Sequence, residues 1–482
     1  MADHFGINGL GAYIPRLRLD RAAIAQAHRW MAPSLKGLAK GFRAFPSWDE
    51  DAITMAVEAA GAAIGKRHHD VRVLQLASTT LPFADMQNAS VVASALGLDP
   101  GLRTLDVGHS QRAATSALHQ LMRSGGSDDV LLVASDAPPG KPASTQEMIN
   151  GAGAAALLLG QGDIIARFIG GASRSVYFVD HFRSEGEAYN YQWEERWIRD
   201  EGYLKIVPAT INTALEDAGC TIASIARLVL AAPGRGICEA VGKSIGFRGV
   251  IEDQLSLDCG YTGAAHALLM LVSAIEAAAV GDRILLVGFG QGCDALVIEK
   301  LREPAAKDVV RSTLADAVRT DDYLRMAAFQ RAIDLEWGMR SERDANTALT
   351  EAYRSNEQVT GFIAGKCRSC ATIQFPQLPY CVNPECGKRA DYEAVRLANE
   401  PGKVLTVTAD WLSYYMAPPL YVGFVQFENG ARVLMEMVDI AADGIEIGTS
   451  VKMAFRVKEH DFARGYRRYF WKAVPVKDSD NA

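Results

Sequence analysis

From Phe5 to about Leu301 the chain alternates short apolar runs with longer stretches in which Ala and Leu recur at helical spacing. VRVLQLAS (71–78), DVLLVAS (129–135), ARLVLAAP (226–233) and DRILLVGFG (282–290) are almost continuously apolar. Such runs predict strands covered on both faces. EDAITMAVEAAGAAIG (50–65), SALHQLMRSG (116–125) and GAAHALLMLVSAIEAAA (263–279) predict helices between them. Strands alternating with helices imply a layered α/β body.

The pattern repeats. GHSQRAATSALHQLM followed by DDVLLVAS has the layout of CGYTGAAHALLMLVSAIEAAAVGDRILLVGFG: a small-residue turn, an apolar helix, then an apolar strand. At an offset of 150, Ala114, Ala117 and Leu118 coincide with Ala264, Ala267 and Leu268. Shared layout and register together suggest two similar halves.

Beyond about Glu303 the pattern changes. KDVVRSTLADAVRTDDYLRMAAFQRAIDLEWGMRSERDANTALTEAYRS is rich in Arg, Asp and Glu at helical spacing and predicts two or three amphipathic linking helices. Short alternating strands follow in KVLTVTADWLSYY, LYVGFVQFENGARVLMEMVD and SVKMAFRVKE, with a hairpin turn at ENG (428–430). Strands of this length and spacing suggest a small antiparallel barrel.

Composition narrows the classes. The 482 residues are 49% hydrophobic and 22% charged, which excludes a disordered chain and allows two to four domains. A net charge of -7 supplies no field for nucleic acid or anionic lipid. The opening MADHFGINGLGAYIP lacks the basic-then-apolar pattern of a signal peptide, and no apolar run is long enough for a membrane span. The expectation is a soluble, cytoplasmic protein with no membrane and no nucleic-acid partner.

Of eight cysteines, Cys220, Cys238, Cys259 and Cys293 are scattered, whereas Cys367, Cys370, Cys381 and Cys386 fall within twenty residues. Cys-x2-Cys, ten residues, then Cys-x4-Cys can present four thiolates tetrahedrally, which predicts a closed, structural Zn2+ site. Disulfides would not be expected in the cytoplasm. Zinc ribbons and small barrels also occur in nucleic-acid binders. Here Lys366, Arg368, Lys388 and Arg389 are interspersed with acidic residues and form no basic stripe.

GINGLGAYIPRLRL, SWDEDAITMAVEAA, LASTTLPFADMQNASVVASALGL, NGAGAAALLLG and LLVGFGQGCDAL, in that order over residues 5–300, resemble the hydroxymethylglutaryl-CoA synthase branch of the thiolase superfamily. The tail resembles the zinc-ribbon plus OB-fold module that accompanies many acyl-CoA enzymes of that superfamily. The resemblance implies a duplicated five-layer αβαβα thiolase-like fold, a rubredoxin-like zinc ribbon, a small antiparallel OB-fold barrel, and usually a homodimer. It divides the chain into thiolase-like halves at 1–170 and 171–302, a helical linker at 303–360, the ribbon at 361–390 and the barrel at 391–482.

The residues that the family's chemistry needs are changed. Matching the synthase cysteine motif to SQRAAT places Gln111 at the cysteine, the glutamate motif falls on Thr79 of ASTTLP, and the histidine motif on Ala231 of LAAP. A glutamine amide can donate hydrogen bonds to a carbonyl or enolate oxygen. In ketosynthase relatives glutamine at this position goes with decarboxylation; it could also be a plain helix-start residue. Ser110 is a nucleophile if a base adjoins it and otherwise an N-cap. Cys259, near the position of a synthase asparagine, is either a relocated nucleophile or an inert buried thiol. His266, seven residues on, could transfer protons or be a satisfied core histidine.

DHFRSEGEAYNYQWEERWIRDEGYLKIVP (180–208) corresponds to the segment that lines the synthase entrance. Tyr189, Tyr191, Trp193 and Trp197 could form an aromatic acyl pocket, with Arg196 or Arg199 for a carboxylate and His181 as an acid or base. A dimer-contact segment explains the same composition. The expected function is an acyltransferase or C–C lyase acting on an acyl-CoA or β-keto acid without an acyl-cysteine. CoA-dependent cleavage or decarboxylation of a β-keto acid would satisfy it, with coenzyme A as substrate. A non-catalytic acyl-CoA-binding scaffold and an ordinary hydroxymethylglutaryl-CoA synthase remain the alternatives.

Overall fold

The computed structural model describes residues 5–65, 67, 70–340 and 348–476. These fall into two compact units, Met1–Val92 with Leu98–Asp334, and Ala93–Gly97 with Leu335–Ala482.

The first unit is built on ten strands: β1 (Phe5–Tyr13), β2 (Val71–Ala77), β3 (Arg103–Val107), β4 (Asp129–Asp136), β5 (Gly153–Gln161), β6 (Ala166–Ser175), β7 (Arg227–Leu230), β8 (Val250–Ile251), β9 (Arg283–Phe289) and β10 (Gly292–Lys300). Their order across the sheet is β8-β7-β9-β10-β6-β1-β5-β4-β2-β3. Adding five to each strand of the run β3-β2-β4-β5-β1 gives β8-β7-β9-β10-β6. Both halves pair parallel at the outer strands and antiparallel toward the centre. They join where β1 meets β6, with Gly6 opposite Arg167. The repeat read from the sequence is therefore a repeat of topology.

The helices repeat as well. Ala52–Ile64 packs on β1, β4 and β5, and Ile206–Asp217 packs on β6, β9 and β10. Ala113–Ser124 and His266–Ala277, the two halves of the sequence repeat, touch strands of both half-sheets and each other. The layers thus run helix, half-sheet, central helices, half-sheet, helix. A helix in the central layer has apolar neighbours on every side, which is why His266–Ala277 is buried almost all round its circumference. Asp51 caps Ala52–Ile64 by accepting from the Ile53 and Thr54 amides, and Thr54 Oγ1 closes a capping box on the Asp51 amide.

The segment 303–360 departs from a purely helical pattern. It holds the helices Val309–Ala315, Tyr323–Phe329, Leu349–Arg354 and Asn356–Val359, and also a strand, Val318–Thr320, parallel to Leu17–Asp20. Three residues carry no readable period, and their partners lie 301 residues away. The division between the two units falls inside this segment, at Asp334 and Leu335.

In the second unit, Ile363–Cys367, Ile373–Gln374 and Tyr392–Arg396 make a three-stranded sheet, with Cys367 at a strand end and the other clustered cysteines in the connections. Six further strands follow: Gly402–Val404, Thr408–Asp410, Leu420–Phe427, Arg432–Met437, Ser450–Asp461 and Tyr466–Pro475. Gly402–Val404 pairs with both Leu420–Phe427 and Ser450–Asp461, closing a barrel around Val425, Phe427, Met435, Phe455 and Trp471. The hairpin turn expected at 428–430 joins two of these strands.

Candidate functional site

Gln111 lies in the turn between β3 and the helix Ala113–Ser124, half-buried. Its carboxamide oxygen accepts a hydrogen bond from the Tyr261 hydroxyl at 2.8 Å. Tyr261 occupies the corresponding turn before the other central helix, at the repeat offset of 150. Burial, then the nearby carboxylates of Asp180 and Asp136, push the Tyr261 phenol above its ordinary range, so it stays protonated and donates. With its oxygen occupied in this way, Gln111 keeps its amide hydrogens for another acceptor.

The neighbours of Gln111 brace it. Ser110 Oγ donates to the Gly290 carbonyl at 3.0 Å and accepts from the Arg112 amide. Arg112 Nε donates to the same carbonyl at 2.9 Å, while its Nη1 pairs with the fully buried Asp294 at 2.8 Å. Ser110 is thus tied to main chain rather than to a base, and Arg112, not Ser110, stands at the helix N-cap.

Asp136, at the end of β4, gathers the loops. Fully buried, it accepts from Thr79 Oγ1 at 2.8 Å, from Ser78 and Thr80 hydroxyls, from the Thr79 amide, and from the Ala264 amide at 2.9 Å. It therefore joins position 79 of the first half to the 262–264 turn of the second. Gly263 permits this approach: its φ is +56°, and a Cβ there would sit 2.3 Å from Asp136 Oδ2.

Cys259 and His266 are both buried. The Cys259 thiol is wholly buried, lies 3.3 Å from the Leu255 carbonyl, and is pushed up to about 12 by burial. Such a thiol is a poor nucleophile at neutral pH. His266 is buried too, and burial pulls it down to about 4. Its Nδ1 accepts from the Thr262 amide at 3.2 Å and lies 3.2 Å from the Thr262 hydroxyl, and a further hydrogen bond goes to the Gln254 backbone. Ala231, at the position matched to a synthase histidine, is a buried apolar residue just past β7.

The 180–208 segment divides. Phe182, Tyr191 and Trp193 form an exposed aromatic cluster, with ring centroids 5.4 and 6.3 Å apart. Trp197 turns inward and stacks on Phe178 at 4.2 Å. Tyr189 is half-buried within electrostatic range of Tyr323, and Arg196 is exposed near Asp200. His181 Nδ1 lies 2.9 Å from Asp180 Oδ2, and Asp180 Oδ1 accepts from Gln291 Nε2 at 2.6 Å. Asp136, Asp180, Tyr261 and Gln291 were not among the residues singled out from sequence. Only Tyr261 carried a signal, since adding the repeat offset to 111 gives its number.

In the second unit the Sγ atoms of Cys367, Cys370, Cys381 and Cys386 all lie within 4.8 Å of one another. Cys370 and Cys381 are 3.5 Å apart, Cys367 and Cys386 4.0 Å. Tetrahedral Zn–S bonds of ~2.3 Å require sulfurs about 3.8 Å apart, so the donor set fits zinc.

No protein-family model matches the chain. Hydroxymethylglutaryl-CoA synthase of Methanopyrus kandleri is 29% identical over 320 residues, 64% of this chain and 91% of that protein. Hydroxymethylglutaryl-CoA synthase of Methanosphaera stadtmanae is 28% identical over 347 residues, 68% and 99% respectively. A crystal structure of HMG-CoA synthase complexed with CoA superimposes with a TM-score of 0.56 at 17% identity, covering 71% of this chain and 92% of that one. Among the described residues no helix is long and apolar enough to cross a membrane. The chain resembles the hydroxymethylglutaryl-CoA synthase branch of the thiolase superfamily, built on the thiolase-like fold and followed by a cysteine cluster and a small closed barrel.

Proposed function

We propose that this protein cleaves the carbon–carbon bond of a β-keto acid with coenzyme A, using no acyl-cysteine. The observation that carries this reading is the Gln111 carboxamide, held through its oxygen by Tyr261 at the position where the resemblance puts the synthase cysteine. CoA sulfur attacks the ketone carbon, and the developing oxyanion accepts hydrogen bonds from the Gln111 amide. The C2–C3 bond then breaks, its electron pair passes to C2, and C2 takes a proton. The products are an acyl-CoA and a carboxylate such as acetate. Decarboxylation would use the same oxyanion contact without CoA. The CoA-bound relative of the same fold supports coenzyme A as substrate.

The test is incubation of the purified protein with CoA and a panel of aryl and alkyl β-keto acids, with products followed by mass spectrometry. An acyl-CoA formed only when protein and CoA are both present supports cleavage. A ketone and CO2 without CoA would replace cleavage by decarboxylation, and no turnover across the panel ends the reading.

The names of the relatives favour a second reading, an ordinary hydroxymethylglutaryl-CoA synthase. That chemistry needs an acylated nucleophile, and Cys259 is the cysteine that the resemblance puts beside the site. Incubation with acetyl-CoA followed by intact-mass measurement decides it, since an acetyl adduct on Cys259 would restore the synthase mechanism. We further take Cys367, Cys370, Cys381 and Cys386 to hold a structural Zn2+, and the protein to act as a homodimer. Metal analysis and sedimentation velocity test these two points.

A further inference from the structure

The proposed cleavage needs a group that takes the proton from the CoA thiol and returns one to C2. Thr79 and Ala231 stand where the resemblance puts the synthase glutamate and histidine, and neither can do this. His266 is buried with both ring nitrogens engaged. A replacement must sit near Gln111, keep one nitrogen open, and be held in one tautomer.

His181 is the residue tied to the Gln111 turn, through Asp180 and Gln291. Its side chain is 18% exposed, and its Nδ1 is paired with Asp180, a neighbour whose other carboxylate oxygen is held by Gln291. Gln291 adopts φ +49°, unusual for a residue with a side chain, in the turn between β9 and β10. The preceding residue, Gly290, supplies the carbonyl that binds Ser110 and Arg112 on either side of Gln111. The main chain around His181 is fixed independently. Arg183 Nη2 donates to the Thr79 carbonyl at 2.6 Å, His181 pairs across a short hairpin with Gln192, and the Trp193 amide donates to the Asp180 carbonyl. The hairpin is thus pinned to Thr79 on one side and to the turn that braces Gln111 on the other. Asp180 also lies close enough to Tyr261 for its charge to act on the phenol that holds Gln111.

We infer that His181 is the general base and acid of this site, with Asp180 as its positioning residue and Gln291 holding Asp180. The inference rests on the cleavage reading above. An Nδ1–H directed at Asp180 leaves the lone pair on Nε2, the form that accepts a proton. In the forward step Nε2 takes the proton of the CoA thiol, and the sulfur forms its bond to the ketone carbon. When the C2–C3 bond breaks, the same proton passes from Nε2 to C2. One proton is taken and one is returned, so the histidine ends as it began and no further reactant is needed.

The experiment compares wild type, His181→Ala, Asp180→Asn and Gln111→Ala at one fixed pH. His181→Ala should lose about 100-fold or more in kcat with KM little changed, and added imidazole should restore at least 10-fold of that loss. Gln111→Ala should lose activity that imidazole does not restore. In 15N-histidine spectra His181 should show the Nδ1–H tautomer in wild type, and Asp180→Asn should mix the two tautomers while the fold, read by circular dichroism, is kept. His181→Ala within three-fold of wild type, or a loss that imidazole leaves untouched, overturns the assignment. If wild type cleaves no β-keto acid, the functional reading fails by itself. The base is then judged by exchange of the C2 hydrogens of a β-keto acid in D2O, which His181→Ala must abolish. Equal exchange in the two proteins overturns it.

Discussion

Gln111 and Tyr261 stand 150 residues apart, occupy equivalent turns in the two halves, and meet at 2.8 Å, hydroxyl to carboxamide oxygen. A duplicated fold brings its two central helix starts together at the pseudo-twofold axis, so one half can supply a reacting group and the other its support. In this chain the first half gives the amide and the second gives the donor that orients it. The Tyr261→Phe variant removes only that donor. Its expected effect is a fall of roughly 10-fold in kcat with KM little changed, and a stability loss of about 1 kcal/mol for one hydrogen bond. In a double-mutant cycle, Gln111→Ala should cost less in the Tyr261→Phe background than in wild type. Additive losses would show that the two residues act separately.

Gln111→Ala alone should cost about 100-fold in kcat, the size usual for one oxyanion donor. Gln111→Glu tests the sign of the interaction, since a carboxylate repels the developing oxyanion and should be slower still. Equal rates for wild type and Gln111→Ala would remove the amide from the chemistry.

Cys259 should prove dispensable. Its thiol is buried and pushed up to about 12, so it is neither accessible nor ionised at neutral pH. Cys259→Ala is expected to keep turnover within about two-fold, and alkylation of native protein should spare Cys259. Half-buried Cys220 serves as the control for reagent access. Rapid labelling of Cys259 would contradict the structure directly.

His266 sets an acid limit on the first unit. Burial holds its folded-state pKa near 4, below the ordinary 6.5, so as pH falls the unfolded chain takes a proton first. Its contribution is complete above pH 6.5 and is lost between pH 6.5 and 4, by about 3 kcal/mol for a shift of this size. Thermal midpoints measured across that window should fall for wild type and change less for His266→Gln, which cannot titrate. Parallel curves for the two proteins would mean that other groups govern acid sensitivity.

Much of this was legible because it is written locally. Apolar runs with helical stretches between them give the layers, and the cysteine spacing places four thiols within twenty residues. The repeat offset even names the partner of Gln111, once position 261 is read as the equivalent of position 111. Asp136 could not be read in the same way. A single aspartate at a strand end says nothing of partners 57 and 128 residues away, which only the assembled sheet brings to it. The Val318–Thr320 strand escaped for a similar reason, being three residues long and paired with Leu17–Asp20. The aromatic segment showed its composition but not its sorting, with Trp197 turned inward and Tyr191 and Trp193 left in solvent.

The cysteine cluster makes the last prediction. Four sulfurs within 4.8 Å of one another match the spacing of a tetrahedral thiolate site, and a zinc ion held there would bridge the loops of the three-stranded sheet. Because four ligands on a strand and its flanking loops are gathered only by folding, a bound metal would make affinity and stability of this segment one quantity. Purified protein should carry about one zinc per chain, and Cys370→Ser should carry far less. A strong chelator should release the metal together with a loss of ordered structure, reversed by adding zinc back. The alternative pairing is Cys370 with Cys381 and Cys367 with Cys386 as disulfides, at 3.5 and 4.0 Å. A free-thiol count distinguishes the two outcomes: four thiols released on chelation under denaturing conditions support zinc, and none released until a reductant is added would replace it.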